Sequence, residues 1–276
     1  MKREVRRQQR RWAKSTGVAV DDRGYVSELD VNLFRPLTPT TRAAFERGDG
    51  TELVSQAKRP AKMRALHSSA ALAVNFFDHW VDREAGSLIR ALGIDGRLAA
   101  PPQFEQRFPT GLAGKPPSLD VVLELESGTV VAIECKFTEW MTPKRRGRPA
   151  FKPKYFEGGS RLWERAGLPA CQALADDLIS GAAFFRLLDA AQLLKHALGL
   201  ATQRPGRFAL YYLYFDSPSP LGERHRTELA TFAGRVAREL AFEALAYQEL
   251  FRGLVAQPID AAYLAYLETR YFPDIA

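Results

Sequence analysis

The chain has 276 residues with 46% hydrophobic content and a net charge of +7, enough for one large domain or two small ones with a packed core. No apolar run approaches the ~20 residues that a membrane span needs, and no secretory leader is recognisable. We therefore expect a cytoplasmic protein without membrane contact. Two cysteines argue against a disulfide framework, and four histidines without suitable spacing argue against a zinc site.

The predicted elements, taken in chain order, indicate a basic arm and lead-in over residues 1–60 and one α/β domain over residues 61–276. The arm is an amphipathic helix, a disordered segment on DNA, or a surface segment without a partner. The elements that follow are an amphipathic run at 67–93, strands near 103–108, 118–126 and 129–137, a loop at 141–159, helices at 160–180 and 184–199, a buried central strand at 207–215, and C-terminal helices at 221–239, 240–255 and 258–270. The predicted fold is a mixed central sheet flanked by helices, with a helical C-terminal region.

The strands at 118–126 and 129–137 are predicted to form a hairpin around Gly128, which suits the left-handed position of a three-residue loop. That loop pairs Val121 with Ile133. Side-chain alternation then gives one apolar core-facing side, which consists of Leu119, Val121, Leu123, Leu125, Val131, Ile133, Cys135 and Phe137. On the other side Asp120 is expected opposite Glu134, at a cross-strand spacing of roughly 5 Å.

Lys136 is expected one step beyond Glu134 on the same face. Two carboxylates this close repel each other, so one takes up a proton unless a cation lies between them. A hard cation such as Mg²⁺ takes oxygen ligands, generates a nucleophile from water and neutralises phosphoryl charge. The plainer alternative is an exposed cross-strand ion network of little energetic weight.

The arrangement resembles the PD-(D/E)XK nuclease superfamily, with its restriction-endonuclease-like fold. Asp120 matches the first acid, and Glu134-Cys135-Lys136 matches the acid-any-lysine triplet. The expected proline is displaced, since Pro116-Pro117 is followed by Ser118-Leu119. The resemblance implies that Asp120 and Glu134 ligate Mg²⁺, with Mn²⁺ as a substitute, together with the Cys135 carbonyl. It also implies that Lys136 orients the attacking water. Further stretches resemble a bacterial branch of restriction endonucleases: Ser68-Ser69-Ala70, Asn75-Phe76-Phe77 and Gln192-Leu-Leu-Lys-His196.

A third acid and a glutamine complete the implied site. Glu105 is expected on the face of its strand opposite Phe104, Gln106 and Phe108, and Glu84 is the alternative acid. Gln192 is the glutamine candidate for assisting catalysis, with His196 one turn later on the same side. Each also fits an ordinary structural role: Glu105 as a solvated strand residue, and His196 as a partly buried helix residue.

Two short segments hold the positive charge. Residues 2–14 and 144–154 each carry +6, which leaves −5 for the rest of the chain. This concentration is typical of proteins that bind a phosphate backbone. The DNA-binding candidates in the second segment are Lys144, Arg145, Arg146, Arg148, Lys152 and Lys154. Arg146-Gly147-Arg148-Pro149 resembles an AT-hook core, which lies extended in the minor groove; a flexible basic loop is the alternative.

The favoured function is a Mg²⁺-dependent nuclease that hydrolyses DNA phosphodiesters through metal-activated water, with a restriction-type endonuclease as the specific form that the resemblance suggests. Symmetry makes a homodimer the natural form of a double-strand cutter. The alternatives are a structure-specific or repair nuclease, a catalytically silent DNA-binding module, and a protein-interaction scaffold. A silent module is expected to bind DNA equally well with and without Mg²⁺.

Overall fold

Five strands form one mixed sheet in the computed structural model, which describes residues 1–48, 51–57 and 59–273. The strands are β1 (Gln103–Arg107), β2 (Ser118–Glu124), β3 (Val130–Lys136), β4 (Phe208–Tyr214) and β5 (Phe242–Ala246). They lie side by side in chain order. β1, β2 and β3 are antiparallel neighbours, whereas β4 runs parallel to β3 and β5 parallel to β4. The predicted mixed α/β sheet is confirmed.

Helices cover both faces of this sheet. They are α1 (Lys2–Ser15), α2 (Pro39–Arg47), α3 (Ser69–Phe77), α4 (Gly86–Ala91), α5 (Leu162–Arg165), α6 (Pro169–Ser180), α7 (Ala190–Gln203), α8 (Pro220–Val236), α9 (Tyr247–Val255) and α10 (Ala261–Tyr271). Side chains of α3, α4, α9 and α10 build a first core on one face, and those of α6, α7 and α8 a second core on the other. Of the helices in the described ranges, none combines the length and the apolar character that crossing a membrane requires.

The hairpin of β2 and β3 has the predicted register. Val121 pairs with Ile133 and Leu123 with Val131. Gly128 has a φ of 80°, in the left-handed region, and its N–H donates to the carbonyl of Leu125 at 2.8 Å. β3 is buried on both faces as far as Cys135, as expected of a strand covered by helices on each side.

Side-chain alternation breaks at Glu105, whose φ of 53° lies in a region that residues other than glycine rarely adopt. Phe104 lies in the first core, but Phe108 packs against the second. Likewise Val121 lies in the first core and Leu119 in the second, since β1 and β2 remain paired past this point. The prediction that Phe104 and Phe108 share a face is therefore wrong, as is the placement of Leu119 with Val121.

Two predicted helices differ from the observed ones. The 160–180 segment divides into α5 and α6, because Gly167 adopts a φ of 82° and Pro169 opens a new helix. The 240–255 helix is wrong in its first part, where residues 242–246 form the edge strand β5. Alanine and leucine favour a helix on intrinsic propensity, but pairing with β4 decides the outcome.

The basic N-terminal segment is helical, which agrees with the amphipathic helix among its three alternatives and not with the disordered arm. Val5 and Trp12 of α1 are buried, and the helix packs against α10. Gln9 Nε2 donates to the carbonyl of Arg270 at 2.9 Å. Residues on both sides of position 60, among them Phe45 and Phe104, share the first core.

Candidate active site

The charged centre lies where β2 and β3 separate. Their pairing ends at Val121 and Ile133. Beyond that pair, the backbone N–H of Cys135 donates to Asp120 Oδ2 at 2.7 Å. The Asp120 carboxylate thus joins the two strands at the mouth of the hairpin, and the Cys135 side chain is buried in the first core.

Glu134 is buried at 2% exposure and is contacted from three sides. Lys136 Nζ and Gln192 Nε2 both donate to its Oε1, the amide at 2.8 Å. His196 Nε2 lies 3.0 Å from Oε2, though not aligned as a hydrogen bond. Within the described ranges Glu134 Oε2 accepts no well-aligned hydrogen bond, and the His196 ring nitrogen is its neighbour.

The two carboxyl groups have opposite protonation preferences. Burial raises the pKa of Asp120 well above its ordinary value, and the negative charge of Glu134 raises it further. Burial alone would also raise the pKa of Glu134, but the Lys136 ammonium and His196 outweigh burial and lower it to about 2. Burial opposes the charge on Lys136, yet the two carboxylates outweigh it and raise the lysine pKa. The site without a cation thus favours neutral Asp120 beside ionised Glu134, in agreement with the repulsion expected from the sequence.

Of the two candidates for a third acid, Glu105 lies closer to this centre. It neighbours Asp120 across β1 and β2, and its Oε2 accepts a hydrogen bond from Ser118 Oγ at 3.0 Å. Burial raises the pKa of Glu105, and the charges of Glu52 and, less strongly, Glu134 add to the shift. Glu84 instead lines a cavity with Glu126, at the turn end of the hairpin. The structure does not bring Glu84 to the charged centre.

The residues present fit a cation that takes few protein ligands. Within the described ranges, no three His, Cys, Asp or Glu side chains are grouped so as to enclose a metal ion. Mg²⁺ does not require such a group, because it commonly binds one or two carboxylates and completes its shell with water and substrate phosphate. Asp120 and Glu134 supply two carboxylates, and Glu134 Oε2 is an oxygen that the protein leaves without a hydrogen bond.

Gln192 and His196 both reach the centre from α7, as their shared helix face predicted. Asp189 begins this helix by accepting a hydrogen bond from the backbone N–H of Gln192 at 3.1 Å. Sequence reasoning missed Tyr212, the partner of Glu134 in the pairing of β3 with β4. Its hydroxyl lies 3.2 Å from His225 Nε2. The parallel pairing joins segments far apart in the chain, so no local pattern indicated this neighbour.

The start of the first basic segment lies next to the residues that precede the second. Lys2 Nζ donates to Thr142 Oγ1 at 3.0 Å, which brings the start of α1 to the segment that follows β3. Lys144 Nζ lies 2.9 Å from Asp189 Oδ1 at the start of α7. Lys154 Nζ donates to the carbonyl of Ala113 at 2.5 Å. The remaining basic side chains of the loop are exposed: Arg145, Arg146, Arg148 and Lys152.

The AT-hook-like stretch is a turn in this structure. Gly147 has a φ of 85°, and the guanidinium of Arg146 lies over the ring of Phe184, 4.7 Å from its centroid. An AT-hook core binds in an extended form. The observed turn therefore differs from the conformation that the resemblance implies.

One family comparison matches nearly the whole chain. The model of the family described as "Restriction Endonuclease associating with ARP" matches residues 6–272. The comparisons with curated proteins and with solved structures gave no match. The family match includes the β2–β3 hairpin, α7, the first basic segment from Arg6 onward and the whole of the second. The chain therefore belongs to the family of restriction endonucleases associating with ARP.

Proposed function

We propose that this protein is a Mg²⁺-dependent deoxyribonuclease of the PD-(D/E)XK type. The observation that carries the proposal is the constellation at the mouth of the hairpin. Asp120 and Glu134 lie there on adjoining strands, with Lys136 and Gln192 both bonded to Glu134. Membership of a restriction-endonuclease family supports the same reaction class.

Each residue has a distinct role in this proposal. Asp120 and Glu134 hold the ion, with the Cys135 carbonyl and Glu105 as further oxygen donors from the same strands. Mg²⁺, or Mn²⁺ in its place, would supply charge neutralisation at the phosphate and a more acidic water. Lys136 stays protonated, since the carboxylates raise its pKa, and as a cation it orients the water and stabilises the phosphorane charge. Gln192 fixes Glu134 through a hydrogen bond from its side-chain amide, a group that does not titrate.

DNA is the proposed substrate because positive charge concentrates next to this centre. The contact of Lys2 with Thr142 brings the start of the first +6 segment next to the residues that precede the second, which supports this choice. Phosphate contacts from such segments supply affinity without sequence information. The printed family description names an association with ARP, and we propose that the chain works alongside such a partner. A homodimer remains the arrangement proposed for double-strand cutting.

The main test is cleavage of supercoiled plasmid and single-stranded DNA with Mg²⁺, Mn²⁺ or EDTA, using Asp120→Asn. The folded state favours neutral Asp120, so an amide replaces it without loss of stability and still accepts from the Cys135 N–H. The variant should keep or raise the melting temperature while losing at least about 100-fold in cleavage, the scale of removing one group that stabilises charge in the transition state. Asp95→Asn, at an exposed position, is the matched control and should cut normally.

The outcomes separate the candidate functions. Cutting that needs the metal and disappears in Asp120→Asn supports the nuclease. DNA binding that is equal in Mg²⁺ and EDTA, with no cutting by either protein, would favour the silent DNA-binding module. Preference for branched or nicked substrates over plain duplex would favour the repair nuclease. Absence of salt-dependent DNA affinity would contradict both DNA-directed functions.

A further inference from the structure

A second cavity lies beside the charged centre, on the far side of the start of α7. Its volume is about 520 Å³, within the roughly 300–1000 Å³ typical of small-molecule sites. Cationic side chains and two aromatic rings line it: Lys144, Arg145, Arg148, Lys195, Phe184 and Phe185. Lys195 is three residues beyond Gln192 on the same helix, and its charge interacts with that of Glu134. The cavity and the charged centre therefore share α7 as a common wall.

The charge in this cavity is unbalanced. Among the described residues Asp189 is the one acid that lines it, and its carboxylate is already engaged by Lys144 at 2.9 Å and by the N–H of Gln192. Within the described ranges, the half-buried ammonium of Lys195 makes no ion pair or hydrogen bond. Asp189 is the charge that acts most strongly on it, and Lys144 and Lys152 add positive charge close to it. An ammonium held in this way, with a surplus of cations, favours a bound anion.

The opposite wall is aromatic. Phe184 is half-buried and has the Arg146 guanidinium over its ring at 4.7 Å from the centroid. Phe185 is buried and packs edge-on against Phe232, 6.4 Å between centroids, which fixes this wall against the second core. Aromatic and guanidinium planes are the surfaces on which unstacked bases bind. The cavity thus joins an anion site to a stacking surface.

We propose that this cavity binds one unstacked nucleotide of the DNA strand next to the cleaved phosphate. The base lies against Phe184, and the phosphate lies at Lys195 and Lys144. This inference rests on the proposed nuclease function for its biological meaning. It adds a site that the nuclease chemistry does not require.

The test uses small ligands and the full chain in EDTA, so that no cleavage is needed. Binding of deoxyadenosine 5′-monophosphate, deoxyadenosine and deoxyribose 5-phosphate would be measured by NMR titration. The nucleotide should bind about tenfold or more tightly than deoxyribose 5-phosphate, the factor that stacking of one base provides, and more tightly than deoxyadenosine, which lacks the phosphate. Lys195→Gln should weaken the binding of the two ligands that carry a phosphate and leave the affinity for the nucleoside unchanged. Lys195→Arg should restore the binding of both phosphate ligands. Phe184→Ala should weaken the binding of the nucleotide and of the nucleoside, and leave the affinity for the sugar phosphate unchanged.

Arg252→Gln, which removes an exposed charge on α9, is the control and should bind all three ligands normally. A thermal unfolding curve for each variant shows whether the variant is folded, and so distinguishes loss of a ligand contact from loss of the native structure. Equal binding of nucleotide and sugar phosphate would overturn the base pocket, and so would binding unchanged in Lys195→Gln and Phe184→Ala. Plasmid cutting without nucleotide binding would leave the nuclease standing and refute this site. Nucleotide binding without plasmid cutting would support this site and count against the nuclease.

Discussion

Replacing Lys136 with methionine should show how much the buried ion pair of Lys136 and Glu134 contributes to the free energy of unfolding. Lys136 and Glu134 side chains are 16% and 3% exposed, so water screens their interaction only weakly. The pKa of Glu134 falls from 4.5 to about 2 despite burial. At about 1.36 kcal/mol per pKa unit, this favours the ionised carboxylate by about 3 kcal/mol in the folded state, with the Lys136 ammonium as the largest favourable cause and His196 as the second. That stability is present above pH 4.5 and is lost as the pH falls towards 2.

At pH 7 in EDTA, Lys136→Met should therefore unfold in urea with a free energy about 3 kcal/mol lower than the unaltered chain. The figure matches the general cost of removing one partner of a buried ion pair. Adding Glu134→Gln removes the stranded carboxylate, so the double variant should regain at least about 2 kcal/mol. A loss below about 1 kcal/mol in Lys136→Met, or a double variant no more stable than the single one, would refute this account of the pair.

Three further predictions concern acid stability, a buried arginine and the basic loop. His225 is fully buried, and burial with a nearby arginine lowers its pKa to about 3, so the unfolded chain binds the extra proton. The melting temperature should fall as the pH drops below about 6.5, and His225→Phe should flatten that dependence; equal slopes would contradict it. Arg270→Met should cost about 2 kcal/mol or more in urea unfolding, because Arg270 donates to the backbone and side-chain oxygens of buried Asn32 at 2.5 and 2.6 Å. Arg270→Lys should not rescue it, since an ammonium lacks the planar fork. Replacing Arg145 and Arg148 with alanine should reduce the slope of log binding constant against log salt concentration by the equivalent of about two phosphate contacts. An unchanged slope would mean that DNA does not contact this loop.

The hairpin illustrates what a local pattern can predict. Apolar alternation and one glycine turn were enough to place Val121 opposite Ile133 and to bring Asp120 and Glu134 to one end. The same rule failed at Leu119, because alternation assumes regular backbone and Glu105 has a positive φ. A glutamate gives no sign in the sequence that its backbone will adopt a positive φ.

The sequence by itself determined the catalytic candidates, the sheet class and the two basic segments, because these depend on residue identity and on short-range periodicity. Only the tertiary structure decided that Lys2 meets Thr142, that Tyr212 lies beside Glu134, and that β5 replaces part of a predicted helix. These contacts join segments far apart in the chain, where pairing and burial outweigh local propensity. For the same reason the cavity between the basic loop and α7 had no signature in the sequence, since its walls become neighbours only when the chain folds.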